Sequence, residues 1–193
     1  LEKFKKFLNS LELFNRIDFE LDEIGTPIPF RWGKCKLATA SYGHGITTTP
    51  LQLAKAYSII GNGGYKIKPT LIKNNQGIKF QEQVISNKTS NQLNIILRKV
   101  VSNEEGTANF ANIEGYEVAG KTGTALKYNS KEKINTFASL FPASNPKYVL
   151  VVLLDEPKIA EPDHTFVRPD GKKYKNIKRN EAGWNAVITA GKI

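Results

Sequence analysis

The sequence Gly-Tyr-Glu-Val-Ala-Gly-Lys-Thr-Gly-Thr, residues 115–124, matches two unrelated chemical signatures that require different local structures. From Gly115 to Thr122 it has the pattern Gly-x-x-x-x-Gly-Lys-Thr of a phosphate-binding loop, in which backbone amides and a lysine hold nucleotide phosphates at the start of a helix. Residues 121–124, the Lys-Thr-Gly-Thr tetrad, also form a set of ligand-binding groups if they lie on a β-strand. The flanking sequence discriminates between the helix and the strand.

The flanking residues fit a phosphate-binding loop poorly. Such a loop needs a buried strand before its first glycine and a helix directly after its lysine. Residues 109–114, Asn-Phe-Ala-Asn-Ile-Glu, are too polar for a central parallel strand. Gly123 and Asn129 oppose a helix downstream, although residues 149–154 followed by Asp155 resemble the second strand of a nucleotide site. A nucleotide-binding protein therefore stays an alternative interpretation.

A strand gives the same tetrad a different chemistry. Thr122 and Thr124 then face one way and Lys121 and Gly123 the other, so a ligand that touches both sets lies along the edge of the strand. A peptide can pair with that edge as an extra strand, with its terminal carboxylate at the ammonium and hydroxyl groups, while the glycine removes side-chain bulk. Lys-Thr-Gly on a strand is also one element of the serine acyltransferases that bind penicillins and D-alanyl peptides.

Hydrophobic periodicity and capping residues predict four helices. Apolar residues recur at helical spacing over residues 2–14. Thr49 and Thr89 are each followed three residues later by glutamine, which is the spacing of a capping box, and a last helix is predicted around residues 181–190. Residues 65–84 predict short strands joined by a turn.

Three longer strands are predicted in the second half of the chain. They cover residues 116–125, 136–141 and 147–154, and short polar turns between them indicate consecutive hairpins. The predicted fold class is therefore α/β of the α+β type, with an antiparallel sheet flanked by helices. Residues 155–179 are polar and basic and predict a long surface loop.

Composition limits the other functions. The chain has 193 residues, of which 40% are hydrophobic and 24% charged, as expected for a folded region with one sizeable core. The formal charge of +10 comes from scattered lysines without an RNA-binding aromatic run, so no nucleic-acid partner is expected. Cys35 has no histidine at ligand spacing, so no metal site is expected.

The start of the chain suggests a piece of a longer protein. The first residue is leucine, methionine is absent, and no apolar run is long enough to cross a bilayer. We therefore expect the chain to be truncated at its N-terminal side, with any membrane anchor in the part that precedes it.

Seven short segments occur in a characteristic order along the chain: Ala-Thr-Ala-Ser-Tyr-Gly-His-Gly at 38–45, Thr-Pro-Leu-Gln-Leu-Ala at 49–54, Gly-Asn-Gly-Gly at 61–64, Gly-Thr-Ala at 106–108, Val-Ala-Gly-Lys-Thr-Gly-Thr-Ala at 118–125, Phe-Pro-Ala at 141–143 and Ala-Gly-Trp-Asn-Ala at 182–186. With these segments, most of the chain resembles the class B penicillin-binding proteins, the peptidoglycan transpeptidases, and especially those of septal cell division. The resemblance runs from about residue 20 to the end and implies that residues 1–193 are the C-terminal portion of one transpeptidase domain, with the fold of penicillin-binding proteins and serine beta-lactamases.

The resemblance also implies a mechanism. In that family the serine of a Ser-x-x-Lys motif attacks a D-alanyl-D-alanine peptide, and an amine of a neighbouring stem peptide resolves the acyl-enzyme. By resemblance, Lys121 orients the substrate carboxylate and tunes proton transfer, Thr122 and Thr124 hydrogen-bond that carboxylate, and the Thr124 amide completes an oxyanion hole. Lys121 and Thr124 are the implied catalytic residues, and Gly123 joins the tetrad as a substrate-binding residue. Beta-lactams are implied ligands, and no metal or organic cofactor is implied.

The sequence departs from the family pattern at the nucleophile. No Ser-x-x-Lys precedes the tetrad, and no Ser-x-Asn occurs anywhere. Ser130 with Lys133 and Ser144 with Lys147 have the first spacing, but both pairs follow the tetrad in turn-like segments. We expect the nucleophile to lie before the first residue and the chain alone to be inactive. A non-catalytic remnant of such a protein is the second alternative.

The resemblance finally implies a cellular setting. It places the protein at the bacterial inner membrane, anchored by a segment upstream of this chain, with the catalytic domain facing the periplasm. The implied partners are peptidoglycan stem peptides and other proteins of the division machinery.

Overall fold

The structure, a computed structural model, describes residues 2–33, 35–73, 77 and 81–193. The chain divides into two compact units, Leu1–Ser90 and Asn91–Ile193. The two units are described separately below. The prediction that the whole chain belongs to one transpeptidase domain stays a prediction.

Three helices lie wholly in the first unit: α1 (Glu2–Ser10), α2 (Lys36–Ala40) and α3 (Pro50–Gly61). Helix α1 is shorter than the predicted helix over residues 2–14. Glu12 has a positive φ of 57°, which a right-handed helix does not accommodate, so the chain turns away just after Ser10.

The capping box predicted at the start of α3 is confirmed. The Gln52 amide N–H donates to Thr49 Oγ1 at 3.2 Å, and the Thr49 N–H donates to Gln52 Oε1 at 2.9 Å. Pro50 occupies the first helical position, where the missing N–H costs nothing. Gln52 is also buried, and its Nε2 donates to the Asn15 carbonyl at 2.5 Å, so the cap of α3 is joined to the segment that follows α1.

The strands predicted over residues 65–84 appear, within the described part, as one isolated bridge between Tyr65 and Gln83. The backbone of Lys66 extends this pairing toward Gln81 and Glu82. Of the predicted turn, Asn74 and Asn75 lie outside the described residues.

Helix α4 (Asn87–Ser102) begins earlier than the sequence predicts. The prediction that Thr89 caps it is wrong, because the Thr89 N–H itself donates to Ser86 Oγ at 3.1 Å and Thr89 lies inside the first turn. Serine is as good a cap as threonine, so the helix starts at the first one available. No helix in the described ranges is both long and apolar enough to span a bilayer.

The second unit contains the predicted antiparallel sheet. Its strands β1 (Ala119–Leu126), β2 (Lys133–Phe141) and β3 (Tyr148–Asp155) pair in the order β1-β2-β3. Strand β1 begins three residues later than predicted, after Glu117, whose φ of 48° interrupts the extended backbone. The prediction of consecutive hairpins is confirmed.

The core of the second unit lies between this sheet, α4 and helix α5 (Ala186–Lys192). Two 3-10 turns, Asn109–Ala111 and Ala182–Trp184, pack beside α5. The α+β prediction, an antiparallel sheet with helices against it, is confirmed. The buried core residues are Val101, Ala108, Ala111, Phe137, Val152, Ala182, Ala186 and Val187.

A second, two-stranded sheet was not predicted. Within residues 155–179, β4 (Thr165–Val167) pairs with β5 (Lys173–Lys175) as an antiparallel hairpin. The rings of Phe166 and Tyr174 each lie with their centroids 5.4 Å from the ring of Trp184, and Phe110 completes this aromatic cluster. The hairpin is therefore attached to both 3-10 turns.

The cap of α3 gives a test of the local structure. Thr49→Ala removes the side-chain acceptor of the Gln52 N–H, and we expect a loss of about 1 kcal/mol in the free energy of unfolding measured with urea. Thr47→Ala, at an exposed residue two positions before the cap, is the matched control and should leave that free energy unchanged. Equal losses in the two variants would contradict the assigned cap.

Candidate active site

The Lys-Thr-Gly-Thr tetrad lies entirely in β1, and β1 is an edge strand of its sheet. The register pairs Lys121 with Ala138 and Thr124 with Asn135 on β2. On the opposite side, no described strand pairs with β1. The backbone N–H and C=O groups on that side have no described strand partner and are available to an extended ligand, apart from the Thr122 carbonyl, which accepts from the Lys121 ammonium. This is the extended edge that the strand interpretation predicts.

The free edge opens on a cavity of about 780 Å³ within the second unit. Such a volume accommodates a small ligand or a short peptide segment. Its wall combines Lys121, Thr122 and Thr124 of β1 with residues from three other segments: Glu104, Glu105, Gly106, Thr107, Asn109, Phe110, Arg168, Tyr174, Arg179, Glu181, Ala182, Gly183 and Trp184.

Lys121 and Thr122 act as one group in this cavity although their side chains start on opposite faces of the strand. The Lys121 ammonium curls around the edge and donates to the Thr122 carbonyl at 2.8 Å and to Thr122 Oγ1 at 3.3 Å. The Thr122 hydroxyl also lies 3.2 Å from the hydroxyl of Thr107. An ammonium group and two hydroxyl groups are thus gathered at one point, as a carboxylate ligand requires.

Thr124 is held by the second 3-10 turn. Its Oγ1 accepts a hydrogen bond from the Ala182 N–H at 3.0 Å. A Cβ atom on Gly183 would lie 2.7 Å from the Thr107 carbonyl oxygen, so glycine at 183 lets this turn approach the backbone of Thr107. The sequence did not predict a role in the site for Thr107 or Ala182. The only signal for them was their position in the Gly-Thr-Ala and Ala-Gly-Trp segments of the family resemblance.

Two glycines of β1 have different structural roles. A Cβ atom on Gly120 would lie 2.6 Å from the Ala138 carbonyl oxygen and 2.8 Å from the ring of Phe137, so the packing of the sheet requires glycine there. A Cβ atom on Gly123 would meet nothing closer than the Thr136 carbonyl oxygen at 3.9 Å. The fold therefore does not require glycine at position 123.

The β4–β5 hairpin forms the far wall of the cavity through Arg168. Its guanidinium donates to the Tyr174 hydroxyl at 3.3 Å and to Asn109 Oδ1 at 3.4 Å. It also pairs with Asp170, and this hydrogen bond raises the pKa of Arg168. Lys172 adds an ion pair with Glu104 at 3.3 Å. The hairpin is thus fixed to the segments that line the cavity.

The residues just before β1 are fixed by two side chains. Arg98 of α4 donates to the Val118 carbonyl at 2.9 Å and to Asn112 Oδ1 at 2.8 Å. The Glu117 carboxylate accepts from the Ser144 hydroxyl at 2.5 Å, and this hydrogen bond lowers the pKa of Glu117. The start of the edge strand is therefore connected to α4 and to the turn between β2 and β3.

The geometry contradicts the phosphate-binding interpretation. No helix begins after Thr122, because β1 continues in extended conformation to Leu126. The segment taken as a second nucleotide-site strand is β3, which runs antiparallel to its neighbour, whereas a phosphate-binding loop follows a strand of a parallel sheet. The Walker A interpretation of the segment from Gly115 to Thr122 is therefore wrong.

The two serine-lysine spacings in the later turns do not form reactive pairs. Ser130 Oγ accepts from the Glu132 N–H, while Lys133 bonds to Glu181 at 3.2 Å. The Ser144 hydroxyl donates to Glu117 Oε2, and no hydrogen bond between it and the Lys147 ammonium occurs among the described contacts. Neither serine has a hydrogen-bonded lysine in the described contacts that could activate it as a nucleophile.

Comparison with curated proteins gives matches among peptidoglycan transpeptidases. Over its whole length the chain is 33% identical to the "Probable peptidoglycan D,D-transpeptidase FtsI" of Caulobacter vibrioides and covers 33% of that protein. Over 81% of the chain it is 35% identical to the "Stage V sporulation protein D" of Bacillus subtilis, of which it covers 27%. The chain thus spans about a third of the length of the curated relatives that it matches.

Comparison with solved structures gives the same fold. The transpeptidase domain of penicillin-binding protein 3 from Burkholderia pseudomallei superposes with a TM-score of 0.75 at 29% identity, over 81% of this chain and 50% of that one. A peptidoglycan glycosyltransferase from Burkholderia ambifaria superposes with a TM-score of 0.73 at 30% identity, over 81% of this chain and 49% of the other.

The protein-family model described as "Penicillin binding protein transpeptidase domain" matches residues 1–178 of the chain. This match covers most of the chain, including the tetrad, Thr107 and Arg168, and it ends before the part of the cavity wall formed by residues 179–184. The chain therefore belongs to the penicillin-binding protein transpeptidase family.

Proposed function

We propose that this chain forms one wall of the active site of a D,D-transpeptidase that cross-links peptidoglycan during cell division. The observation that carries the proposal is the position of the tetrad, extended on an edge strand with a free side that opens on a cavity. The relatives named peptidoglycan D,D-transpeptidases support the reaction.

The substrate that this edge suits is a peptide that ends in D-alanyl-D-alanine. Its backbone pairs with the free side of β1 as an additional strand. Its terminal carboxylate accepts hydrogen bonds from the Lys121 ammonium and from the hydroxyls of Thr122 and Thr124. Gly123, which the fold does not require, leaves room for the peptide to approach the backbone.

The reaction proceeds by acyl transfer. A serine that this chain does not contain attacks the carbonyl of the penultimate D-alanine, the bond to the terminal D-alanine breaks, and that residue leaves as a free amine after it gains a proton. An amine of a neighbouring stem peptide then attacks the ester carbonyl. The ester C–O bond breaks as the cross-linking amide forms, and a proton from the attacking amine passes to the serine oxygen. Protein side chains suffice for both steps, so the reaction needs no metal or organic cofactor.

The tetrad contributes charge stabilisation to both steps. The Thr124 N–H on the free edge is one donor to the oxyanion that forms at the attacked carbonyl, and the nucleophile's own N–H is the other. Lys121 lowers the energy of the carboxylate-bound complex and supports proton transfer at the serine. A beta-lactam, which has a carboxylate and a reactive carbonyl, binds the same groups.

The cellular setting is part of the proposal. The parent protein is anchored in the bacterial inner membrane by a segment outside this chain, and this face is turned toward the periplasm, where stem peptides are found. Other division proteins recruit it to the septum.

A ligand titration tests the function on this chain. We expect N-acetyl-L-Ala-D-Ala-D-Ala to shift the amide NMR signals of the tetrad of the ¹⁵N-labelled chain, because the peptide pairs with the free edge of β1. The same peptide with a C-terminal carboxamide should bind more weakly, by about ten-fold or more, since it lacks the charge that strengthens these hydrogen bonds. If millimolar peptide does not shift the amide signals of residues 121–124, the proposal is wrong.

The role of Lys121 is tested in a protein that joins this chain to its nucleophile segment. There Lys121→Ala should lower the rate of acylation by a labelled penicillin about 10²- to 10³-fold, as expected for the loss of one preorganised charge. Lys131→Ala, at an exposed lysine in the turn after β1, is the matched control and should leave the rate unchanged. An unchanged rate in Lys121→Ala removes this residue from the mechanism.

The two glycines of β1 provide a matched pair. Gly120→Ala places a methyl group against Ala138 and Phe137, and we expect it to lower the free energy of unfolding by about 1–3 kcal/mol. Gly123→Ala should leave that free energy within about 0.5 kcal/mol of wild type but weaken tripeptide binding in the NMR titration. Undiminished binding by Gly123→Ala would mean that the peptide does not lie along this strand.

A further inference from the structure

Three asparagines form a hydrogen-bonded network behind β1. Asn135 of β2 is fully buried, and its Nδ2 donates to the Asn180 carbonyl and to Asn185 Oδ1, at 3.0 Å in each case. Asn185 Nδ2 in turn donates to Asn180 Oδ1 at 3.0 Å. One strand residue therefore holds both ends of the segment from Asn180 to Asn185.

This network places a backbone donor beside the tetrad. Ala182 lies between the two fixed asparagines, and its N–H donates to Thr124 Oγ1 at 3.0 Å. In the register of the sheet, Thr124 on β1 is the direct partner of Asn135 on β2. The Thr124 hydroxyl and the asparagine network are therefore neighbours on adjacent strands. Asn180 also bonds to the Pro157 carbonyl, which fixes the segment from its far side.

The bond from Ala182 determines where the Thr124 hydroxyl can direct its proton. A threonine hydroxyl has one proton to donate and an oxygen that accepts. Since the oxygen already accepts from Ala182, the proton points away from that N–H. No acceptor for it occurs among the described contacts of Thr124, which lines the cavity. The hydroxyl is therefore a donor held ready for a ligand.

The network is costly as a packing device, which argues for a second role. Asn135 Oδ1 is buried and has no hydrogen-bond partner within the described ranges. A small apolar residue in this position of β2 would avoid the cost of a buried, unpaired carbonyl oxygen. What the asparagine adds is the pair of N–H bonds that fix residues 180–185.

We propose that Asn135, through Asn180 and Asn185, is a positioning residue that orients the Thr124 hydroxyl toward the carboxylate of the ligand. The selectivity for a free terminal carboxylate over an uncharged terminus thus depends on a residue that does not touch the ligand. This inference rests on the proposed function, because it takes the D-alanyl carboxylate as the partner of Thr124.

The test is the ratio of two affinities, for N-acetyl-L-Ala-D-Ala-D-Ala and for its C-terminal carboxamide, measured by NMR titration of the full chain. In Asn135→Ala we expect this ratio to fall by about three-fold, since one of the three donors to the carboxylate, the Thr124 hydroxyl, loses its alignment while Lys121 and Thr122 keep theirs. A purely structural role would weaken the binding of both peptides alike and leave the ratio unchanged, which would overturn the proposal.

A matched control and a double-mutant cycle sharpen the result. Ser139→Ala changes another buried, hydrogen-bonded side chain of β2 that does not contact residues 180–185, and it should keep the wild-type ratio. In a Thr124→Val background, Asn135→Ala should lower the ratio no further, because its effect passes through the hydroxyl. Additive losses in the two variants would contradict the proposed route.

A second variant removes the Ala182 donor directly. Ala182→Pro removes the N–H donor itself at the first position of a helical turn, where proline is favoured, and Glu181 before it is extended, as a residue before proline should be. It should reduce the ratio to the same extent, and a wild-type ratio in a folded Ala182→Pro would overturn the proposal. A wild-type chain that binds both peptides equally would overturn carboxylate recognition, and with it the proposed function.

Discussion

The free side of β1 is the constraint on which the rest of the site depends. Strand β2 pairs with one side of β1 over the whole of β1, from Ala119 to Leu126. No described strand pairs with the other side of β1. An edge strand is exposed to unwanted pairing, and proteins normally protect it. Here the edge carries a lysine and borders a cavity, so it suits a peptide better than another sheet. Arg98 and Glu117 fix the residues just before β1, which keeps this edge in one position.

The same residues give opposite chemistry depending on the backbone that carries them. Wound into the start of a helix, Gly-Lys-Thr directs amide groups at a phosphate. Extended along a sheet, it presents an ammonium, hydroxyls and a free backbone edge to a peptide carboxylate. Polar residues before the motif and Gly123 after it favoured the strand, and β1 confirms that choice. The two glycines of the motif have different roles. The packing of the sheet requires Gly120, whereas a side chain at Gly123 would meet open space, so glycine there serves the ligand and not the fold.

Sequence patterns could predict the parts of this structure that depend on local rules. The three long strands follow from strand-like segments separated by short polar turns, and the start of α3 follows from the Thr49 and Gln52 capping box. The start of α4 was misplaced because Ser86 and Thr89 are both suitable caps and the pattern does not rank them.

Other parts of the site depend on contacts between residues far apart in the chain. Strands β4 and β5 have only three residues each, too few for a periodic pattern, and the contacts of Phe166 and Tyr174 with Trp184 hold them in place. Thr107 and Ala182 reach the tetrad across 15 and 58 positions of the sequence. No local pattern records such contacts.

If the peptide adds to β1 as a strand, its backbone must lie alongside the free edge of β1. Intermolecular NOEs between N-acetyl-L-Ala-D-Ala-D-Ala and the isotope-labelled chain report where the peptide lies. A peptide paired with the free edge gives NOEs from its α protons to the amide and α protons of Thr122, Gly123 and Thr124, in the alternating pattern of adjacent strands. A bound peptide whose NOEs involve only residues remote from β1 would contradict this placement.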